Sequence, residues 1–184
     1  ARPSDGTLRF EANLPPVALS AVRLPLRDIA GVASARVRVA GTMKEPRTEV
    51  VAYAPRVRVA GVLAQDLAGV VRVDGGGYTL TSAQGRIGGG VVHAAGALNP
   101  SGGLNVSFVG AAVPLQSVLS RHKMADASGS LFADGTITGS LDSPRIEAKA
   151  RVFGLTAGGQ SADIVSGSLA YADRHITLNE TRVA

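Results

Sequence analysis

The sequence has no cysteine and no tryptophan, and aromatic residues make up 4% of its 184 positions. Without cysteine there is neither a disulfide framework nor a thiolate metal site. With so few rings, the interior lacks the large side chains that usually fill a globular centre. Charge is also sparse. Lysine and arginine number 19 against 14 aspartates and glutamates, a net +5. A basic excess can meet nucleic acid, anionic lipid or acidic partners. Nucleic-acid binders add stacking aromatics or a basic helix, and neither occurs, so no nucleic acid is expected. No signal peptide stands at Ala1. The pattern begins midway, as in a piece of a longer protein.

The residues from Ile87 to Ser120 include no Lys, Arg, Asp or Glu. Their length is that of a membrane span. Gly88-Gly89-Gly90, Asn99-Pro100, Gly102-Gly103 and Pro114 instead predict strands and turns.

What the sequence has in abundance is Val, Ala, Leu and 23 glycines, arranged with self-similarity. Shifted by 98 residues (139 − 41 = 98), the chain lies on itself without a gap. Gly31 meets Gly129, Gly41 meets Gly139, Pro46-Arg47 meets Pro144-Arg145, and Glu49 meets Glu147. Gly61 meets Gly159, Gly69 meets Gly167, and Thr79-Leu80 meets Thr177-Leu178. The match reaches back to Phe10 with Phe108 and Pro16 with Pro114. Coinciding glycines and prolines matter most, because they mark where strands end. Two units follow, 1–98 and 99–184, within one continuous structural domain.

Within each unit polar and apolar residues alternate, the signature of strands. Ala35–Ala40, Arg56–Ala60, Val71–Val73, Thr136–Thr138, Ile146–Val152 and Leu169–Tyr171 read this way. Asp74-Gly-Gly-Gly77 and Ala172-Asp-Arg-His175 read as hairpin loops. Leu115, Val118 and Leu119 after Pro114 have helical spacing, and the equivalent region, Pro16 to about Leu24, is expected to hold a short helix or helical turn too.

The dry face comprises Val37, Val39, Val50, Ala52, Val57, Val59, Leu67, Val71, Val73, Tyr78 and Leu80 in the first unit. In the second it comprises Ile137, Ile146, Ala148, Val152, Leu155, Val165, Leu169, Tyr171, Ile176 and Leu178. The wet face carries Arg36, Arg38, Glu49, Arg56, Arg58, Arg72 and Thr79, then Thr136, Thr138, Glu147, Lys149, Arg151, Thr156 and Thr177. Antiparallel sheets with one covered side alternate in this way. The dry faces could pack on each other as a sandwich, or line the groove of a curved, incompletely closed sheet. The scarcity of rings and the end-to-end units favour the groove. Arg36, Arg38, Arg56, Arg58 and Arg72 could attract anionic head groups or an acidic partner. Equally, they could keep an outer face soluble and discourage edge pairing.

The recurring string is clearest in the second unit. It runs Gly135-Thr-Ile-Thr-Gly139-Ser-Leu-Asp-Ser-Pro144-Arg-Ile146, then Leu155-Thr-Ala-Gly-Gly159, Asp163-Ile-Val-Ser-Gly167-Ser-Leu169 and Ile176-Thr-Leu178. This order resembles the repeat of the TamB family in the wider AsmA-like group, over nearly the whole chain. The first unit departs from it with Val37 in place of the Gly135 type and Glu45 before Pro46. Neither an inner-membrane anchor signature nor an outer-membrane end is present in the sequence. The resemblance implies an all-β, U-shaped open sheet, the β-taco, with an apolar concave face. It also implies a periplasmic protein held by an inner-membrane helix. Phospholipid acyl chains would pass between inner and outer membranes along the dry-face residues, with an outer-membrane β-barrel partner engaged elsewhere. The family's other reading is a scaffold for outer-membrane β-barrel or autotransporter assembly, and an adhesion module remains a third.

Chemistry at a point is not expected, nor is a cofactor. His93, His122 and His175 lack ligand-like neighbours, and Asp66, Asp126 and Asp163 are isolated. Gly75-Gly76-Gly77 and Gly88-Gly89-Gly90 lack the Lys-Ser/Thr of a phosphate loop. No Gly-x-Ser-x-Gly elbow occurs.

Overall fold

The computed structural model describes residues 6–21, 29–59, 61–119, 126–172 and 175–184, leaving the side chain of Ile176 outside the described set. The strands are β1 (Thr7–Ala18), β2 (Ile29–Thr42), β3 (Pro46–Val59), β4 (Val62–Asp74), β5 (Gly77–Ile87), β6 (Gly90–Leu98) and β7 (Gly103–Pro114). They continue as β8 (Ser128–Ser140), β9 (Pro144–Ala157), β10 (Gln160–Ala172) and β11 (His175–Val183). All pair antiparallel with their sequence neighbours in one eleven-stranded sheet, in order β1 to β11. β1 and β11 do not pair with each other, so the sheet is open. Because β6 pairs with β7, the sheet runs unbroken past residue 98. The two-sheet sandwich is therefore set aside.

The strands are longer than local alternation suggests. Β-Propensity of Val, Thr and Ile extends them, and they stop only at turn chemistry. Gly75 and Gly76 hold φ of 54° and 81° between paired Asp74 and Gly77. A two-residue hairpin of type I′ requires both positive values. Two other turns share one construction. In the first, the Glu45 N–H donates to Thr42 Oγ1 at 3.1 Å and the Thr42 N–H donates to the Glu45 carbonyl at 3.3 Å. In the second, the Ser143 N–H donates to Ser140 Oγ at 3.1 Å and the Ser140 N–H to the Ser143 carbonyl at 3.3 Å. The preceding Gly41 and Gly139 have φ of 115° and 92°, and a Cβ on either would strike the carbonyl of Glu45 or Ser143.

Helical structure is slight. The α-helix α1 (Leu115–Leu119) forms where Pro114 predicts it. In the equivalent region near the start of the chain the expected helix or helical turn is narrowed to a single 3₁₀ turn at Leu19–Ala21, with Pro16 and Val17 remaining in β1. Pro16 disfavours helical dihedrals at Pro15 before it, and because neither proline has an N–H the β1–β2 register shifts between Leu14 and Val17. The remainder of that expected helix, 22–24, lies outside the described residues, as do the hairpin residues 173–174 and His122.

Register shifts recur across the sheet, between Val32 and Ser34, Gln65 and Ala68, Gly110 and Val113, Ser128 and Ser130, and Ser166 and Ser168 among others. Asp66, Ala112 and Glu180, the described non-glycine residues at positive φ, sit at these bulges. A bulge bends its strand and tightens the local twist.

Candidate functional site

Partners in an antiparallel register share a face, so strand pairing generates rows that run across the sheet. One row is Ala12, Val37, Val50, Val71, Leu80, Gly96, Val106, Ile137, Ile146, Tyr171 and Ile176. Every strand contributes one residue and none is polar in the hydrogen-bonding sense except at the Tyr171 hydroxyl. The adjoining row is Leu14, Ala35, Ala52, Gly69, Ala83, Ala94, Phe108, Gly135, Ala148, Leu169 and Leu178. Ten strand spacings of about 4.8 Å make each row roughly 48 Å long.

The dry-face residues expected from alternation, apart from Ile176 with its undescribed side chain, fall on this same face. Val39, Val73 and Tyr78 share a row nearer one end of the strands, with Thr48 between Val39 and Val73. Toward the other end Val152 pairs with Val165, and Val59 with Val62. Leu67 lies opposite Ala54, and Leu155 opposite Ala162. The face also includes Val92, Leu98, Leu104, Val106, Phe108 and Leu131, which alternation did not single out.

The apolar face is not a covered core. Among the described residues the buried apolar side chains are Ala54, Val57, Val113 and Ala127. All lie toward the strand ends where α1 rests against β4, β7 and β8. Elsewhere the face is half-buried by its own row neighbours, and Tyr78 and Leu178 are 50% and 66% exposed. The chain exposes 12602 Å². A compact monomer of 18.7 kDa would expose roughly 8,300 Å². The excess, about half again, agrees with an open sheet in which few described side chains are buried.

The opposite face is polar but not uniform. Arg36 and Arg38 reach Glu11 at 3.5 and 3.4 Å, Arg72 reaches Glu49 at 3.2 Å, and Arg47 reaches Asp74 at 3.8 Å. Along Glu11, Arg38, Glu49 and Arg72 the sign alternates from strand to strand. Arg56 and Arg58, from the same sequence pattern, take no part in this ladder. No three described His, Cys, Asp or Glu residues come close enough to hold a metal ion. His93 is exposed on the polar face between Gln84 and Val109. No helix among the described residues is long and apolar enough to cross a membrane.

Comparison with protein-family models, curated proteins and solved structures finds no match.

Proposed function

We propose that this chain is a segment of a bridge-like periplasmic protein of the TamB type, carrying phospholipid between inner and outer membranes along its apolar face. The observation that supports this most is the pair of apolar rows, drawn from all eleven strands and left uncovered. A row of roughly 48 Å is about three times the depth of one leaflet, given a hydrocarbon core of about 30 Å. Burying one side of some fifteen methylenes at half of about 0.8 kcal/mol each would contribute about 6 kcal/mol. Nothing along the two rows offers a charged anchor, so a chain could slide between near-equivalent positions while its head group stays in water.

The reading includes two tandem units and a U-shaped, β-taco sheet. The starts of β3, β4 and β5 recur at those of β9, β10 and β11 with one offset (144 − 46, 160 − 62 and 175 − 77 each give 98), and the matched turns at Gly41 and Gly139 favour the same division. The bulges supply a means of bending the strands into a trough. An outer-membrane β-barrel partner would engage the protein elsewhere.

The test is lipid extraction of the purified chain with mass spectrometry, combined with photo-crosslinkers at Val71, Val106 and Leu169 on the apolar face and at Thr136 on the other. Phospholipid co-purifying and crosslinking at the first three only is the expected result. Absence of lipid, or equal crosslinking at Thr136, refutes the proposal.

A further inference from the structure

The polar face has two electrostatically different ends. At one, arginines alternate with carboxylates in the ion-pair ladder described above. Toward the other, register aligns Arg56 (β3), Gln65 (β4), Arg86 (β5) and Val91 (β6) in one row. Beyond the bulge at Ala112 the row continues with Phe132 (β8), Arg151 (β9), Ser166 (β10) and Arg182 (β11). This row includes four arginines and no carboxylate. All four are exposed, and none makes an ion pair with a described residue.

Two features mark this band: its concavities are larger than those of about 410–430 Å³ beside Arg36 and Arg38, and apolar side chains stand among its arginines. Each arginine pair flanks a shallow concavity, about 680 Å³ at Arg56 and Arg86 and about 630 Å³ at Arg151 and Arg182. The carboxylates there are outnumbered. Asp66 is the acid of the first concavity and accepts a hydrogen bond from Tyr53 at 3.3 Å. Asp134 and Glu180 stand against Lys149, Arg151 and Arg182 in the second. The band is also interleaved with exposed apolar side chains. Phe132 and Phe153 meet edge to face at 5.4 Å and 82°, each about two-fifths exposed, and Ile164 is 38% exposed beside them.

We infer that this arginine band is a contact surface for an anionic lipid bilayer. Phosphate-bearing head groups would seat in the concavities between guanidiniums, while Val91 and the Phe132–Phe153 pair enter the interface. Cationic side chains interleaved with apolar ones are what a headgroup boundary selects. A nucleic acid would instead need rings free to stack, and these two rings are engaged with each other. The band lies on the face opposite the apolar rows, so it can stand or fall apart from lipid carriage.

The experiment is co-sedimentation of the whole chain with vesicles of phosphatidylglycerol and phosphatidylcholine, against phosphatidylcholine alone. Arg56, Arg86, Arg151 and Arg182 are changed together to Gln. The control changes Arg38, Arg47, Arg72 and Arg145 to Gln, with the same loss of four charges. Each basic side chain at an anionic surface contributes about fivefold, so the band variant should lose about six-hundredfold in binding and the control far less. Equal losses in both variants, no wild-type binding to anionic vesicles near 0.15 M salt, or equally tight binding to polyglutamate would overturn the inference. Because the chain has no tryptophan, Phe132→Trp gives a second readout that keeps all the arginines. Its emission should shift to the blue on anionic vesicles, and an unchanged spectrum counts against the band.

Discussion

Ile137 sits within an apolar row, between Val106 on β7 and Ile146 on β9. Changing it to Thr or to Asp asks whether that face is wet. Thr keeps the β-branched shape and removes apolar contact, a loss of about 1–1.5 kcal/mol for a side chain already half open to water. Asp adds a charge and a poorer strand propensity, the latter about 1 kcal/mol at most. On an uncovered face water solvates the carboxylate, so the two variants should differ by about 1 kcal/mol or less. For a chain of this length that is about 2–4 °C in melting temperature. Under a packed second layer, the unpaired buried charge would add about 3–5 kcal/mol, at least 6 °C more or outright failure to fold. Thermal unfolding followed by circular dichroism measures the gap directly. An Asp variant melting 6 °C or more below the Thr variant would refute the open-face description.

Two other perturbations test the backbone. Gly139→Ala places a Cβ 2.6 Å from the Ser143 carbonyl oxygen at a φ of 92°, and should cost about 2 kcal/mol. Gly41→Ala should cost a similar amount, since its turn is built alike, and denaturant unfolding showing either change to be neutral would contradict the turn geometry. Ala112→Gly goes the other way. Ala112 is exposed at a φ of 53°, where a non-glycine residue is strained by about 1–2 kcal/mol. After glycine's entropic penalty, a gain of about 0.5–1 kcal/mol is expected, and a loss would mean that the bulge holds its shape for another reason.

Much of the architecture was legible because turn chemistry is local. Gly75-Gly76 and the prolines at 46 and 144 act through their own dihedrals, and alternation between them gives the face of each residue. The stretch 87–120 yields less. There Val91, Ala95, Ala97 and Val109 point one way and Val92, Ala94, Leu98 and Val106 the other, so both faces read as apolar and Phe108 goes unnoticed. Bulges defeat alternation altogether. In β3 both Pro55 and Arg56 separate the inward Ala54 and Val57, and nothing about Asp66, Ala112 or Glu180 announces a positive φ. Arg86 and Arg182 were missed for the same reason. Their alignment with Arg56 and Arg151 depends on pairings carried across several such shifts.

The arginines at 36, 38, 56, 58 and 72 form one set in sequence and two in space. Arg36, Arg38 and Arg72 have acidic neighbours 3.2–3.5 Å away. At about half exposure or more, such pairs contribute little stability, though they leave that end of the face near neutral and unattractive to anions. Arg56 and Arg58 have no such neighbours, so their charge, like that of Arg86, Arg151 and Arg182, is not cancelled by an ion pair. Sign pattern, more than net charge, therefore separates the two ends. The +5 of the whole chain is too small to dominate at long range, since salt screens exposed charges beyond about 8 Å. Within that distance each guanidinium without an ion-pair partner still acts on a surface lying against it.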